Sequence, residues 1–334
     1  MPVSAEWIRQ LPKVELHVHV EGSIRPETVL RLAEKHGISL PATDLEGLKH
    51  WYEFRDFAHF VEVYIKVTEC VRTVEDLEFV LREFIRGQAE QNIVYTEATY
   101  TASTVETRCG IPFAEQLGAL QRARAWGKTE LGVDVQFVLD IVRGDRPERA
   151  MQVMHWVADS LGQGVCALGI AGFESRGTVI YREVFAEAQR LGIPVTAHAG
   201  ETEGAWSVAE TLDITGAHRI GHGIRSIEDP DLITRLRDER VVLEVCPTSN
   251  VCLGVVPLLS QHPLPKLMEA GVAVTVNSDD PPMFGTTLTD EWIRCAEAFE
   301  WDESTILRLN ETAIEAAFLD EEAKRSIPRP SRSG

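Results

Sequence analysis

Two histidines stand two residues apart near the start of the chain, in the stretch Val14-Glu15-Leu16-His17-Val18-His19-Val20-Glu21-Gly22. Apolar and polar residues alternate there, so it reads as a β-strand, in which residues i and i+2 share a face. His17 and His19 therefore point the same way and can grip one metal ion. A bare His-x-His also occurs without any such role, so the reading depends on what the rest of the chain supplies. His198 followed by Glu201, His222 between two glycines, and the pair Asp279-Asp280 are the further candidates. Three neutral imidazoles (His17, His19, His198) and one carboxylate (Asp279) would make a mononuclear site with an open position for water. A divalent ion there lowers the pKa of bound water towards ~7 and makes a hydroxide nucleophile. Zinc suits these ligands first, with iron and cobalt as alternatives. Glu201 would face the substrate, and burial would raise its pKa so that it can donate a proton. His222 can orient or deprotonate the metal-bound water, and Asp280 is free to bind substrate. The chemistry this describes is metal-assisted hydrolysis with a separate proton donor.

The elements that must position these groups alternate along the chain. The first strand is followed by helical spacing that opens at Pro26 and closes at Gly37. Residues 40–60 look irregular and aromatic, with Trp51, Tyr52, Phe54, Phe57 and Phe60. Apolar spacing resumes over 57–70, and Thr73 with Asp76 opens a long helix to about 91. The segment 40–91 is too long for a plain connection; it reads as a helical insertion and a candidate lid. Strands are then expected at 93–101, 133–142, 165–171, 193–198, 218–222, 241–246 and 272–279. Helices are expected to about 125, over 146–161, 179–191, 207–215, 230–238 and 263–270, and from 280 to about 323. The tail 327–331 reads as frayed. Eight βα units imply a parallel sheet, and a (β/α)8 barrel with a helical insertion after the first strand suits the length. A doubly wound open sheet is the runner-up, but no Gly-x-Gly-x-x-Gly follows the first strand. With no linker and no repeat, residues 1–334 read as a single domain. The candidate residues all fall at strand C-termini, where barrel enzymes place their sites.

Composition narrows the partners. The 334 residues are 44% hydrophobic and 25% charged, as in ordinary globular proteins. A net charge of −19 argues against binding a nucleic-acid backbone. No basic stretch leading into an apolar run is seen near the start, and no apolar run approaches ~18 residues, so no membrane span and a cytoplasmic location are expected. Six scattered cysteines without a Cys-x-x-Cys pair suggest mostly buried free thiols.

The stretch Leu11-Pro12-Lys13-Val14-Glu15-Leu16-His17-Val18-His19-Val20-Glu21-Gly22-Ser23 resembles the opening of the adenosine deaminase family. So do His198-Ala199-Gly200-Glu201, Arg219-Ile220-Gly221-His222-Gly223, Cys246-Pro247-Thr248-Ser249-Asn250 and Asp279-Asp280-Pro281, in family order from about residue 11 to 320. The resemblance places the chain in the metal-dependent amidohydrolase superfamily. It implies hydrolytic deamination at C6 of an adenine ring, giving inosine or the 6-oxo analogue and ammonia, with a purine nucleoside and water as the small-molecule partners. It further implies one zinc ion per subunit on His17, His19, His198 and Asp279. Glu201 would protonate purine N1, and His222 would act as base and electrostatic partner for the zinc hydroxide. Asp280 would hydrogen-bond N7, and the Gly172 N–H would meet N3. The His-x-Glu and Pro-Cys-x-x-Cys deaminase pattern is absent.

Departures from that pattern concern the substrate. Adenosine-specific members usually carry Asp where Glu21 stands. Glu occurs there in relatives acting on adenine or on 5′-substituted nucleosides such as aminodeoxyfutalosine. Phe173 follows Gly172 where many adenosine-specific members have Asp, and 95–100 differs from the adenine-specific pattern. The motifs make adenosine or an adenosine-like nucleoside the first expectation, with aminodeoxyfutalosine or adenine as the alternative.

Overall fold

A computed structural model describes residues 3–329. Its first strand, β1 (Lys13–His19), is buried along its whole length. Val14 and Leu16 pack outward against Ala313 and Ile314 of the helix Glu303–Ala316. The alternate residues turn their polar side chains inward, where His17 meets His198 at a ring separation of 4.5 Å. Seven more parallel strands follow: β2 (Ile93–Tyr100), β3 (Asp134–Val142), β4 (Val165–Ala171), β5 (Thr196–Ala199), β6 (Arg219–His222), β7 (Val242–Val245) and β8 (Val274–Val276). They pair in order as β1-β2-β3-β4 and as β5-β6-β7-β8. Single bridges join these two sheets at both seams, Leu168 with Val195 and Val18 with Asp279. The strand order, the intervening helices and the two seams are those of a (β/α)8 barrel.

The seams explain why two strands are shorter than the sequence suggests. At the β4–β5 seam, Pro194 has no N–H to give to a ladder; its carbonyl alone accepts the Leu168 N–H at 2.9 Å. The strand expected over 193–198 therefore contracts to Thr196–Ala199. At the β8–β1 seam, side chains stand in for the ladder. Asn310 Oδ1 accepts the Val14 N–H at 3.0 Å, and Asn277 Oδ1 accepts the Leu16 N–H at 3.1 Å. The strand expected over 272–279 contracts to Val274–Val276.

Between β1 and β2 run helices Pro26–His36, Leu45–Trp51, Phe57–Thr68 and Val74–Glu90. Residues 40–60 are thus more ordered than expected. Asp44 and Asp56 are the N-caps, accepting the backbone N–H groups of Gly47 and His59 at 2.8 Å each. Helix Phe57–Thr68 rests on the C-terminal mouth of the barrel, where Phe57 meets Phe173 at 5.4 Å and Phe60 meets Phe284 at 5.3 Å between ring centroids. After β2, a short helical turn and a π-turn (Val105–Cys109) precede helix Phe113–Leu131, which outruns the expected end near 125.

The chain's end is better held than expected: Ile327 is buried among Val14, Leu16 and Tyr95, and Arg329 pairs with Glu311 at 3.1 Å. Positions 330 and 331 of the expected frayed tail lie outside the described residues. All six cysteines are free, and only Cys252 is exposed. Among the described residues no helix is long and apolar enough to cross a membrane.

Candidate active site

Every residue singled out in the sequence stands at or just past the C-terminal end of a strand. His17 and His19 close β1, with Glu21 two residues on. Gly172 follows β4, His198 is in β5 with Glu201 in the loop behind it, and His222 ends β6. Asp279 and Asp280 follow β8. Two of them, His222 (φ 60°) and Asp279 (φ 63°), occupy the left-handed region. Bulky residues rarely adopt it, and such strain clusters at functional sites. Glycines make room for the rings and carboxylates. A Cβ on Gly221 would lie 2.7 Å from His17 Cε1, and one on Gly22 would overlap Asp280 Oδ1.

Four polar atoms converge at the centre. His19 Nε2 lies 3.2 Å from His198 Nε2 and 3.3 Å from Asp279 Oδ1, and His17 Nε2 lies 3.5 Å from the same oxygen. The far side of two rings fixes what they present. Glu244 Oε2 stands 3.0 Å from His17 Nδ1, and the Ile170 carbonyl stands 3.2 Å from His198 Nδ1. Both partners accept, so each Nδ1 donates and any second proton sits on Nε2. Burial opposes that proton on His17, but Asp279 and Glu244 outweigh it and raise the ring's pKa to about 9, so a cation bound here displaces it. His17 Nε2 is buried without any hydrogen-bond partner. Unprotonated nitrogens facing one another beside a carboxylate are a donor set for a cation. Two overlapping groups have ligand atoms close enough to share an ion: His17, His198, His222 and Asp279, and His19, Asp279 and Asp280, with Asp279 common to both.

The carboxyl groups divide in charge. Burial by itself would raise Asp279, but the facing rings of His17 and His19 outweigh it and hold Asp279 well below the usual range. Asp280 goes the other way, pushed well up by burial and then by the neighbouring Asp279 charge. Its Oδ1 has no partner. Glu201 is likewise held well above the usual range, by burial first and by Asp279 and Glu174 after it. Glu201 Oε2 lies 3.7 Å from His222 Nε2.

A cavity of about 140 Å³ opens onto this cluster, lined by Phe57, Phe60 and Tyr64 of helix Phe57–Thr68 and by Asp140, Gly172 and Leu253 on the barrel side. A wider groove of about 910 Å³ at the other end of the barrel, beside the starts of β6, β7 and β8, contains none of the candidate residues.

Several groups that shape the site were missed in the sequence. Glu174, just past the end of β4, accepts the backbone N–H groups of Gly200, Glu201 and Thr202 and the Ser207 hydroxyl, at 2.6–2.9 Å. It thereby sets the loop that carries Glu201. Glu244 is a lone carboxylate in the apolar run Val242-Leu243-Glu244-Val245 and also receives Arg219 Nε at 2.5 Å. Asp140 breaks the apolar end of β3 in the same way, and its Oδ1 is buried without a partner. Such isolated charges inside a strand were the available signal. Glu21 is not a free carboxylate: Oε1 accepts the Thr101 N–H at 2.8 Å and Oε2 accepts the Tyr64 hydroxyl at 3.2 Å. Burial and then Asp140 raise its pKa to about 7.

The mouth of the barrel brings together a histidine–aspartate group that can hold a metal ion. The adenosine deaminase family model matches residues 12–329, and the chain belongs to that family. It is 38% identical over 324 residues to the aminodeoxyfutalosine deaminase of Streptomyces coelicolor, covering 96% of this chain and 84% of the relative. It is 38% identical over 318 residues to the adenine deaminase of Rhizobium leguminosarum bv. trifolii, covering 95% and 98%. The crystal structure of an adenine deaminase from Arthrobacter aurescens superposes with a TM-score of 0.89 at 30% identity, covering 95% and 97%. The protein is an enzyme of adenosine-deaminase type, acting on a purine C–N bond.

Proposed function

We propose that the protein hydrolyses the C6 amino group of an adenine ring with the help of one zinc ion, releasing ammonia. The observation that carries this reading is the convergence of buried histidine nitrogens on Asp279, with Glu201 Oε2 3.7 Å from His222 Nε2 and held towards its protonated form by burial. The separations His19–His198, His19–Asp279 and His17–Asp279, 3.2–3.5 Å, bring these ligand atoms close enough to share one ion. When bound, the ion supplies an ionised water as nucleophile at neutral pH.

The chain's own residues do the rest. Glu201 carries the proton for purine N1, which makes C6 more electrophilic. Asp280, protonated by burial and its charged neighbour, donates to N7, and the Gly172 N–H donates to N3. Adenine presents acceptors at all three ring nitrogens, so three donors suit it. His222 faces the attacking oxygen. Helix Phe57–Thr68 with its aromatic residues is the lid that excludes water.

On the sugar side we place aminodeoxyfutalosine first, ahead of adenosine. The 38% relative that bears the name, Glu21 in place of Asp, and the departure of 95–100 from the adenine-specific pattern support it. Free adenine is the second reading, favoured by the small cavity and by the adenine deaminases among the relatives. The test is ammonia release from a panel of adenosine, 2′-deoxyadenosine, adenine, 5′-methylthioadenosine and aminodeoxyfutalosine. A kcat/KM for aminodeoxyfutalosine at least tenfold above the others is expected. Preference for adenine would install the second reading, and no ammonia from any member would end both.

A further inference from the structure

Two buried residues outside the cavity lining, Asn250 and His262, have no part in the chemistry described so far. Asn250 lies in the short helix Pro247–Cys252 behind β7, and His262 in the loop that leads to β8. Both are almost fully buried, as is His222. They form a chain of hydrogen bonds that ends on the His222 ring. The Leu264 backbone N–H stands 3.1 Å from His262 Nδ1. His262 Nε2 is 3.1 Å from Asn250 Oδ1, and Asn250 Nδ2 is 3.3 Å from His222 Nδ1.

The direction of every bond in this chain follows from its first member. A backbone N–H can only donate, so His262 Nδ1 accepts and the neutral ring carries its proton on Nε2. That Nε2–H donates to Asn250, which fixes the amide with its oxygen towards His262 and its NH2 towards His222. The NH2 group can only donate, so His222 Nδ1 must accept. The His222 proton then sits on Nε2, the nitrogen 3.7 Å from Glu201 Oε2 and 3.9 Å from Asp279 Oδ2.

We infer that Asn250 and His262 are positioning residues that lock His222 as the Nε2–H tautomer, so that it presents a hydrogen-bond donor rather than a lone pair to the attacking oxygen. The inference rests on the proposed hydrolytic role of the site and chooses between the two tasks open to His222. With no lone pair on Nε2, the neutral ring orients the oxygen and stabilises charge growing on it; it does not remove the proton. Left without the relay, the ring is free to take either tautomer, and the other one turns a lone pair towards the carboxylates.

The test reads the proton directly. The metal-loaded enzyme, labelled with 15N-histidine, is examined by long-range 1H–15N correlation, with the His222 signals assigned from their loss in His222→Gln. The expected spectrum has an unprotonated Nδ1 and a protonated Nε2. Asn250→Asp keeps the shape but replaces the donor with an acceptor, so the two His222 nitrogens should exchange character. Its kcat should fall roughly 10²-fold or more at unchanged metal content, given that a histidine held in the wrong tautomer costs a serine-protease triad about 10⁴. A wild-type His222 protonated on Nδ1 would overturn the inference, as would an Asn250→Asp enzyme with the wild-type 15N pattern. The wild-type spectrum decides even if the variant fails to fold. It also decides without turnover, so inactivity on every 6-aminopurine would remove the functional reading and leave this measurement intact.

Discussion

Glu244 on β7 accepts the Nδ1–H of His17 on β1 at 3.0 Å, reaching across the interior of the barrel. Its other oxygen is held by Arg219, whose guanidinium also reaches Glu97. The His17 ring is thereby fixed in orientation and tautomer before any ion arrives. Partners of this kind are worth about 10–100-fold in metal affinity. Glu244→Gln should lower zinc affinity by roughly that factor, read as zinc retained after dialysis against graded chelator. Retention equal to wild type would remove Glu244 from the metal site.

Glu201 is proposed as the proton donor, and its raised pKa is consistent with that task at neutral pH. Glu201→Gln keeps the volume and removes the proton. A fall in kcat of roughly 10²–10⁴-fold is expected, with zinc content unchanged by elemental analysis. Near-normal turnover would assign the proton to another group.

Glu21 is tied to Thr101 and Tyr64, both of which line the cavity. Shortening it by one methylene in Glu21→Asp should break at least one of these bonds and shift the substrate ranking towards plain adenosine. The readout is kcat/KM across the substrate panel. An unchanged ranking would take Glu21 out of substrate choice.

Asp76 anchors the N-terminus of helix Val74–Glu90 and gathers Lys35 and His36 from helix Pro26–His36, His36 at 2.6 Å. Burial opposes its charge, but Lys35, the Arg72 N–H and His36 outweigh that and lower its pKa below the usual value. A carboxylate lowered in the folded state stabilises above its unfolded pKa and loses that contribution as pH falls through the folded one. Asp76→Asn should therefore unfold at lower temperature at pH 7, by roughly 2 °C for a capping loss of about 1 kcal/mol. The gap to wild type should narrow progressively as the pH falls below about 4. A gap that stays constant from pH 7 through the whole acid range would show that charge is not what Asp76 contributes.

Much of this protein is legible without coordinates, because its signals are local. The period-2 run through His17 and His19, the repeated strand–helix rhythm and the polar residues at strand ends identify a barrel and nearly all of its site. The helix starts at Asp44 and Asp56 were legible too, as N-caps before helical spacing; the aromatic density of 40–60 hid them. What tertiary structure alone decided is which atoms face which. Glu244, Glu174, Asn250 and His262 are distant in sequence from the groups they hold, and their effect is on tautomer, charge and backbone position. Those properties follow from hydrogen-bond direction and burial, which exist only once β1, β6, β7 and the loop before β8 are brought together. Residue type names the candidate ligands and the proposed proton donor; the partner on the far side of each ring settles which nitrogen carries the proton, and that is a property of the assembled barrel.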